Sequence, residues 1–272
     1  MQATVDERMQ VERGLRQALD HGDLILQFQP QLNRAAQVVG AEALLRWRQP
    51  GKGLVGPVDF IPVAEETGLI HSIGQWALAE ACDRLKQWEG AALTENLSLS
   101  VNVSSWQFVR EDFVRQVKHQ LVRSGARPAR LALEITESAL FYDIEDAMKK
   151  MRALRALGLR LSMDDFGTGY SSLSYLRKLP LNELKIDQSF VHAIAPEMPD
   201  VFLSSIVAIG HAMGMTVVGE GVETDVQRNA LAAMGCDGFQ GYLWSAPLAA
   251  DAFVEWVAAQ EGHKTSAGIY RT

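Results

Sequence analysis

Short apolar runs with a two-residue period alternate along this chain with longer stretches whose apolar positions recur every three to four residues. The first pattern buries one face of a strand and the second buries one face of a helix. Strands are expected at 24–31, 38–47, 97–103, 131–136, 159–163, 183–186, 216–219 and 238–241, the last being the weakest pattern. Helices are expected at 5–20, where Leu15, Ala18 and Leu19 share a face, and at 58–66, 70–88, 106–123, 144–157, 200–213, 225–234 and 250–260.

Strands alternating with helices in this way predict an α/β fold, a (β/α)8 TIM-like barrel. One connection breaks the pattern. The stretch between Leu32 and Gln37 is too short for a parallel crossover, which needs about a dozen residues, but it suits a hairpin. The expected architecture is therefore a modified barrel with one antiparallel strand. No Pro/Gly/Ser-rich linker, composition break or internal repeat divides the 272 residues, and barrels of this size form single domains. The expected organisation is a lead-in helix or linker from an upstream domain over 1–22, the barrel over 23–262 and a C-terminal tail over 263–272.

A net charge of −7 argues against a partner such as polymeric nucleic acid, which needs a basic face. A small anion is still compatible, because bound divalent cations reverse the field of a carboxylate cluster. Cys82 and Cys236 lack the spacing of a zinc or redox pair and read as reduced, buried thiols. The amino terminus has no apolar signal segment. The least charged stretch, 202–219, is interrupted by Ser204, Ser205, Gly210, His211 and Gly214, which suits a buried helix and strand better than a membrane span. A cytoplasmic location without membrane insertion is expected for this segment, with the full-length protein open to anchoring elsewhere.

Polar side chains gather in or just past the predicted strands: Glu42, Asn102, Glu134, Glu137, Asp164, Asp165, Lys185, Glu220, Glu223 and Gln240. In a parallel barrel the carboxyl ends of the strands share one face. Acidic oxygens collected there form a site for a hard cation, and a lysine among them points to phosphate chemistry. Each signal alone is weak. Asp-Asp-Phe-Gly is more often a helix-capping turn, Glu-Ala-Leu is ordinary helix composition, and a strand-end lysine commonly snorkels. The weight lies in the whole set falling in barrel order. Gly51-Lys52-Gly53 lacks the spacing of a phosphate-binding loop, no histidine is followed by Asp, and no Ser-His-Asp or Cys-His arrangement stands out. His21, His71, His119, His192 and His211 fall in helices or at their ends, where packing is the default reading.

Three segments are distinctive: Glu42-Ala43-Leu44-Leu45-Arg46-Trp47, then Asp164-Asp165-Phe166-Gly167-Thr168-Gly169-Tyr170-Ser171-Ser172, then Glu220-Gly221-Val222-Glu223-Thr224. With Leu184-Lys185-Ile186-Asp187 between the last two, they closely resemble the EAL domain family, phosphodiesterases that open the bacterial second messenger cyclic di-GMP. The resemblance runs from about 24 to 248. It implies a barrel with one antiparallel strand, and hydrolysis of cyclic di-GMP to linear pGpG that ends the signal.

Read chemically within that likeness, Glu42, Asn102, Glu134 and Asp164 form an all-oxygen shell suited to Mg2+ or Mn2+. Asp164 is placed to bridge, and Asp165 to reach a second cation. Adjacent strand residues face opposite ways, so the pair serves two ions only where the strand breaks, and Gly167 and Gly169 are expected to supply that break. Two ions about 3.5–4 Å apart clamp the attacking and leaving oxygens. Ca2+, with longer bonds and more ligands, is expected to inhibit. The resemblance adds Glu220 as a metal ligand and Lys185 as the contact to the attacking water, so the catalytic set is Lys185, Glu220 and Glu42. The base is either Glu220 or a metal-bound hydroxide. It further implies substrate contacts at Gln29, Leu44, Arg46, Asp187, Glu223 and Gln240. Arg46 shares a strand face with Glu42 and suits a second phosphate. Glu137 matches a glutamate that tethers the loop over 165–172, near the surface by which such domains pair, so a homodimer is expected. Phe28, Gln188 and Ala246 depart from the family's usual Tyr, Arg and basic residue, which bears on affinity more than on chemistry.

Two other readings compete: a non-catalytic cyclic di-GMP receptor domain, and a barrel scaffold for a protein partner. Receptors of this type commonly lose the motif glutamate, a metal-binding acid or the Asp-Asp loop, and this chain keeps all of them. Sensory or cyclase domains are expected elsewhere in a full-length protein.

Overall fold

Two long strands open the barrel. β1 (Leu24–Asn33) and β2 (Val38–Gln49) pair antiparallel, from Leu24 opposite Trp47 to Leu32 opposite Val38. Asn33 builds the turn: its side-chain oxygen accepts from the backbone N–H groups of Ala35 and Gln37 at 2.9 and 3.0 Å, the local bonding that makes asparagine a turn former. This computed structural model describes residues 2–49, 51–140, 143–167, 176–194 and 201–268.

β3 (Gly53–Val55), β4 (Ser98–Val103), β5 (Leu131–Thr136), β6 (Arg160–Phe166), β7 (Glu183–Ile186), β8 (Thr216–Gly219) and β9 (Gly238–Gln240) complete the sheet. Its order is β1-β9-β8-β7-β6-β5-β4-β2-β3, and the additional β1–β2 pairing closes the ring, leaving β3 as an appendage of β2. β1 runs antiparallel to both its neighbours, while the pairs from β2–β4 round to β8–β9 are parallel. The expected barrel with one reversed strand is the observed one.

The helices are α1 (Gln2–His21), α2 (Ile61–Glu66), α3 (Ile70–Trp88), α4 (Ser105–Phe108), α5 (Phe113–Ser124), α6 (Ile144–Ala156), α7 (Gln188–His192), α8 (Val201–Ala212), α9 (Asp225–Met234) and α10 (Ala250–Gly268). Strand periodicity sorts the side chains. Leu99, Val101, Leu131, Leu133, Leu161, Met163, Leu184 and Ile186 join the main apolar core with the helices. The alternate positions, which include Ser100, Glu134, Ser162, Asp164 and Lys185, are the buried polar ones. The barrel thus has an apolar outer face and a polar interior, with α10 capping the β1 side through Phe253 against Phe28 and Trp88. Cys82 and Cys236 are buried free thiols, and burial pushes them up to about 11 and about 12.

Four expectations need correction. The helix expected over 106–123 is two helices, α4 and α5. A Ser104–Gln107 capping box starts the first. Phe108 and Phe113 lie five residues apart and would face different ways on one helix, whereas the break lets their rings meet edge-on at 5.7 Å. The helix expected from Val58 begins at Ile61, after a 3-10 turn over Pro57–Asp59. β3 and α7 were not foreseen, being too short to show a period. β6 runs on through Asp164 and Asp165 to Phe166, with a register shift between Met163 and Phe166. The interruption is therefore a bulge at the aspartates themselves. Gly167 follows it at φ +101, and Gly169 lies outside the described residues, as does Asp200, the expected start of α8.

α1 packs on the barrel. Its Leu15 and Ala18 join Leu24, Trp47, Phe60, Ala64, Leu69, Ile70 and Ile73 in a second apolar cluster, in which Trp47 and Phe60 meet at 5.9 Å and 82°. The helix can approach because Gly14 has no side chain; a Cβ there would lie 2.7 Å from the Trp47 ring. Leu15→Ala should therefore cost roughly 2–5 kcal/mol, as for other buried leucines. Urea unfolding measures it, and an unchanged midpoint would show that α1 is not docked in solution.

Candidate active site

Each strand delivers its functional side chain through the same two-residue alternation. Register places Gln29 opposite Glu42, Glu42 beside Ser100, Asn102 beside Glu134 and Thr136 beside Asp164. These pairings bring Gln29, Glu42, Asn102, Glu134 and Asp164 together inside the barrel. At the centre is Lys185, 0% exposed. Its Nζ lies 2.6 Å from Glu134 Oε2, 3.2 Å from Glu42 Oε2 and 3.5 Å from Asp164 Oδ1, and it also contacts Glu220 Oε1.

One ammonium among four carboxylates leaves a buried negative excess. Burial alone would push the Lys185 ammonium down, but Asp164, Glu134, Glu220 and Glu42 together hold it well above its ordinary value, so it stays charged. Burial pushes Glu134 well up, and repulsion from Glu42 adds to it. Glu220 is raised for the same first reason, with Lys185 only partly offsetting it. Glu42 goes the other way. Burial raises it, but the Lys185 charge and hydrogen bonds from Gln240, Asn102 and Lys185 outweigh that and lower it.

Those amides form a cradle. Asn102 Nδ2 donates to Glu42 Oε1 at 2.5 Å, and Gln240 Nε2 donates to Glu42 Oε2 at 2.6 Å and to Gln29 Oε1 at 3.0 Å. Gln31 in turn donates to Gln240 Oε1 at 3.0 Å and to Ser100 Oγ at 3.3 Å. Gln29 also donates to the Ser245 carbonyl at 3.2 Å. Gln31 and Ser100 escaped the sequence reading, although the Gln27, Gln29, Gln31 alternation in β1 is a signal for a polar inward face. Also missed was the Ser104 hydroxyl, which donates to Glu65 at 2.7 Å and ties the end of β4 to α2.

Asp165 sits on the bulge with φ +54, a conformation most side chains avoid and aspartate tolerates. Burial, then the Asp164 and Asp187 carboxylates, push it up to about 6. Oxygens of Asp164, Asp165 and Glu220 lie close enough together to hold one metal ion. Among the described residues, Glu134 Oε1 and Asp164 Oδ1 are buried without a hydrogen-bond partner, although the Lys185 ammonium stands 3.5 Å from the latter. Orphaned acidic oxygens beside an all-oxygen donor set are what a hard divalent cation satisfies, so the residues fit such an ion.

Two cavities open from this centre, and both are lined by Glu42 and Asp164. One, of about 230 Å³, is polar and bounded by Asp165, Asp187, Glu220, Glu223 and Tyr242. The other, of about 580 Å³, runs between Leu44, Pro57, Ile61, Ile73 and Trp106. Arg46 Nε donates to Gln27 Oε1 at 3.1 Å. Asp187 caps α7 by accepting from the Ser189 N–H at 3.0 Å. Gln188 lines the polar cavity as a neutral amide. Glu137 stands apart from the four acids around Lys185. It is buried just past β5, and among the described residues neither of its oxygens has a hydrogen-bond partner. Residues 168–172 of the loop it was expected to tether, Tyr170 and Ser172 among them, lie outside the described residues. Among the described residues, no helix is long and apolar enough to cross a membrane.

The EAL domain family profile matches residues 12–247. The bifunctional diguanylate cyclase/cyclic di-GMP phosphodiesterase MucR of Pseudomonas aeruginosa is 41% identical over 261 residues, covering 95% of this chain and 38% of MucR. The cyclic di-GMP phosphodiesterase NbdA of the same organism is 42% identical over 255 residues, covering 93% of this chain and 32% of NbdA. The chain thus spans about a third of the length of these relatives. Among solved structures, a MucR phosphodiesterase complex with cyclic di-GMP superposes with a TM-score of 0.85 at 41% identity, covering 90% of this chain and 99% of that one. The EAL enzyme Bd1971, with cAMP and cyclic di-GMP bound, gives 0.88 at 32% identity, covering 94% and 70%.

Lys185→Met would leave the buried carboxylates without their cation, a change that costs roughly 3–5 kcal/mol in comparable buried pairs. Protonating the acids relieves their repulsion, and the raised pKa values of Glu134, Asp164 and Glu220 mean that this happens as pH falls. In EDTA the loss of unfolding free energy relative to wild type should therefore be larger at mildly alkaline than at mildly acidic pH. A pH-independent loss in urea titrations would show that the ammonium is not the group neutralising the cluster.

Proposed function

The chain belongs to the EAL domain family, and from that membership we propose that it is a metal-dependent phosphodiesterase that hydrolyses cyclic di-GMP to linear pGpG. The observation that carries the reading is the environment of Lys185, where four carboxylates, three buried and Glu220 partly so, face a single ammonium. That excess of negative charge is unsuited to a phosphodiester unless cations intervene. The two cavities diverging from Glu42 and Asp164 match an extended substrate with its phosphodiester at the centre and one half on either side.

In the proposed site Glu42, Asn102, Glu134 and Asp164 would hold one divalent cation, Mg2+ or Mn2+, and Asp164, Asp165 and Glu220, whose oxygens converge, would hold a second. When bound, the cations supply Lewis acidity and lower the pKa of the attacking water. Gln240 and Asn102 fix Glu42 so that its oxygens stay aimed inward. Lys185 remains protonated and orients the nucleophile, its N–H groups also meeting charge that develops on the phosphoryl oxygens. Glu220 is the side chain assigned to accept the water's proton. The water oxygen bonds to phosphorus as the bond to one ribose 3′ oxygen breaks, that oxygen taking a proton from solvent to leave as a hydroxyl while the phosphate stays on the 5′ side. Arg46, Gln29, Leu44, Asp187, Glu223 and Gln240 line or support the path of the substrate, with Arg46 assigned to the second phosphate. A homodimer and fused sensory or cyclase domains belong to the same proposal, the latter supported by the small share of each relative that this chain spans.

A timed incubation with cyclic di-GMP, resolved by chromatography, should yield pGpG with Mg2+ or Mn2+ and nothing in EDTA, while Ca2+ should permit binding without turnover. Glu42→Ala should lower kcat by roughly a thousandfold or more while the fold survives, with losses in Glu134→Ala and Asp164→Ala far from additive to it. Turnover in EDTA, or by Glu42→Ala at the wild-type rate, would remove the two-metal reading. Tight binding with no product under any metal would favour the receptor alternative.

Glu137 is assigned to anchoring the loop after Asp165. Glu137→Ala should slow turnover at limiting Mg2+ and weaken the second cation more than the first. A wild-type rate at limiting Mg2+ would reduce Glu137 to a strand-end carboxylate.

A further inference from the structure

Helix α7 is only five residues long, yet it touches both segments that carry the outer carboxylates. At its start Asp187 caps the helix and meets Asp165. In its middle Phe190 packs on Gly167, where a Cβ would lie 2.9 Å from the ring. At its end His192 Nε2 lies 3.0 Å from the Gly221 carbonyl oxygen and 3.8 Å from Glu223 Oε1. A carbonyl oxygen only accepts, so Nε2 carries the proton and donates it.

The turn that His192 meets joins Glu220 to Glu223. Its flanks are pinned by the Glu220 N–H donating to Ile186 O at 3.2 Å and the Val222 N–H donating to Gln240 O at 3.0 Å. Between them Gly221 adopts φ +63 and lies bare against α7: a Cβ there would come within 2.5 Å of Gln188 Cβ and 3.2 Å of His192 Nε2. A glycine at this angle has wide conformational freedom, and the imidazole bond restrains its carbonyl. Glu220 belongs to the trio, with Asp164 and Asp165, whose oxygens converge closely enough for one ion.

We propose that His192 is a positioning residue for the cation site: by holding the Gly221 carbonyl it fixes the turn that carries Glu220, and so sets how tightly Glu220 shares an ion with Asp164 and Asp165. This rests on reading the cluster as a divalent-cation site. His192 is assigned no contact with substrate or ion, and its effect is on affinity for the ion.

Mn2+ alone is the probe, titrated by calorimetry or by the electron paramagnetic resonance of free Mn2+ into wild type, His192→Ala and His192→Gln. The Gln amide can place an N–H near the position of Nε2. His192→Ala should weaken Mn2+ binding by about threefold to tenfold, the size of one net hydrogen bond, with His192→Gln restoring most of it. Its kcat should fall at limiting Mn2+ and recover at saturation, while KM for cyclic di-GMP stays unchanged. Equal Mn2+ affinity in wild type and His192→Ala overturns the proposal, as does a His192→Gln protein as weak as His192→Ala. Because Mn2+ uptake is read without substrate, a wild type that binds Mn2+ but makes no pGpG overturns the hydrolase reading alone. A wild type that takes up no Mn2+ overturns both.

Discussion

A single buried ammonium organises this molecule. Lys185 lies inside a closed barrel with Glu42, Glu134, Asp164 and Glu220 around it, and no arrangement of those five groups is neutral while all are charged. Low local polarizability makes each attraction and each repulsion count for more than it would in water. The interior therefore tolerates the acids only because the lysine is there, and it retains an unmet demand for positive charge. That demand, together with orphaned oxygens on Glu134 and Asp164, is the physical basis for assigning divalent cations to the site.

The surrounding polar network orients the cluster more than it neutralises it. Gln31 supports Gln240, Gln240 supports Glu42, and Asn102 completes the grip from β4. Amides suit this task because they donate without adding charge. A further cation in their place would reduce the negative excess that the proposed metal ions answer. The bulge in β6 performs a different job. It turns Asp165 away from the alternation that Asp164 obeys, so that consecutive carboxylates face one centre at the cost of a left-handed backbone.

Much of this is legible in the sequence. Polar residues at alternate positions of apolar strands, as in Ser98-Leu99-Ser100-Val101-Asn102-Val103 and Leu131-Ala132-Leu133-Glu134, mark a barrel whose two faces differ in polarity. The short link after Leu32 marks the reversed strand, because a chain of that length cannot cross a sheet. Features with too few residues to show a period were illegible: β3, α7 and the break between α4 and α5. The support given by Gln31, Ser100 and Glu65 was illegible for another reason. Their partners lie 39 or more residues away in the chain, and a hydrogen bond across a barrel leaves no local pattern.

Taken alone, the sequence determined the succession of strands and helices, the reversed strand and the identity of the acidic set, because period and loop length are local properties and the motifs that mark the set are contiguous. Tertiary structure decided what those groups do to one another. Lys185 faces four acids only because β2, β5, β6 and β8 close around β7, and Glu42 goes down in pKa because the Lys185 charge and two amides outweigh its burial, while burial and the Glu42 charge send Glu134 up. His192 reads as an ordinary helical histidine until folding sets it beside Gly221. Charge and hydrogen bonding act through distance in space, and that distance exists only once the ring has closed.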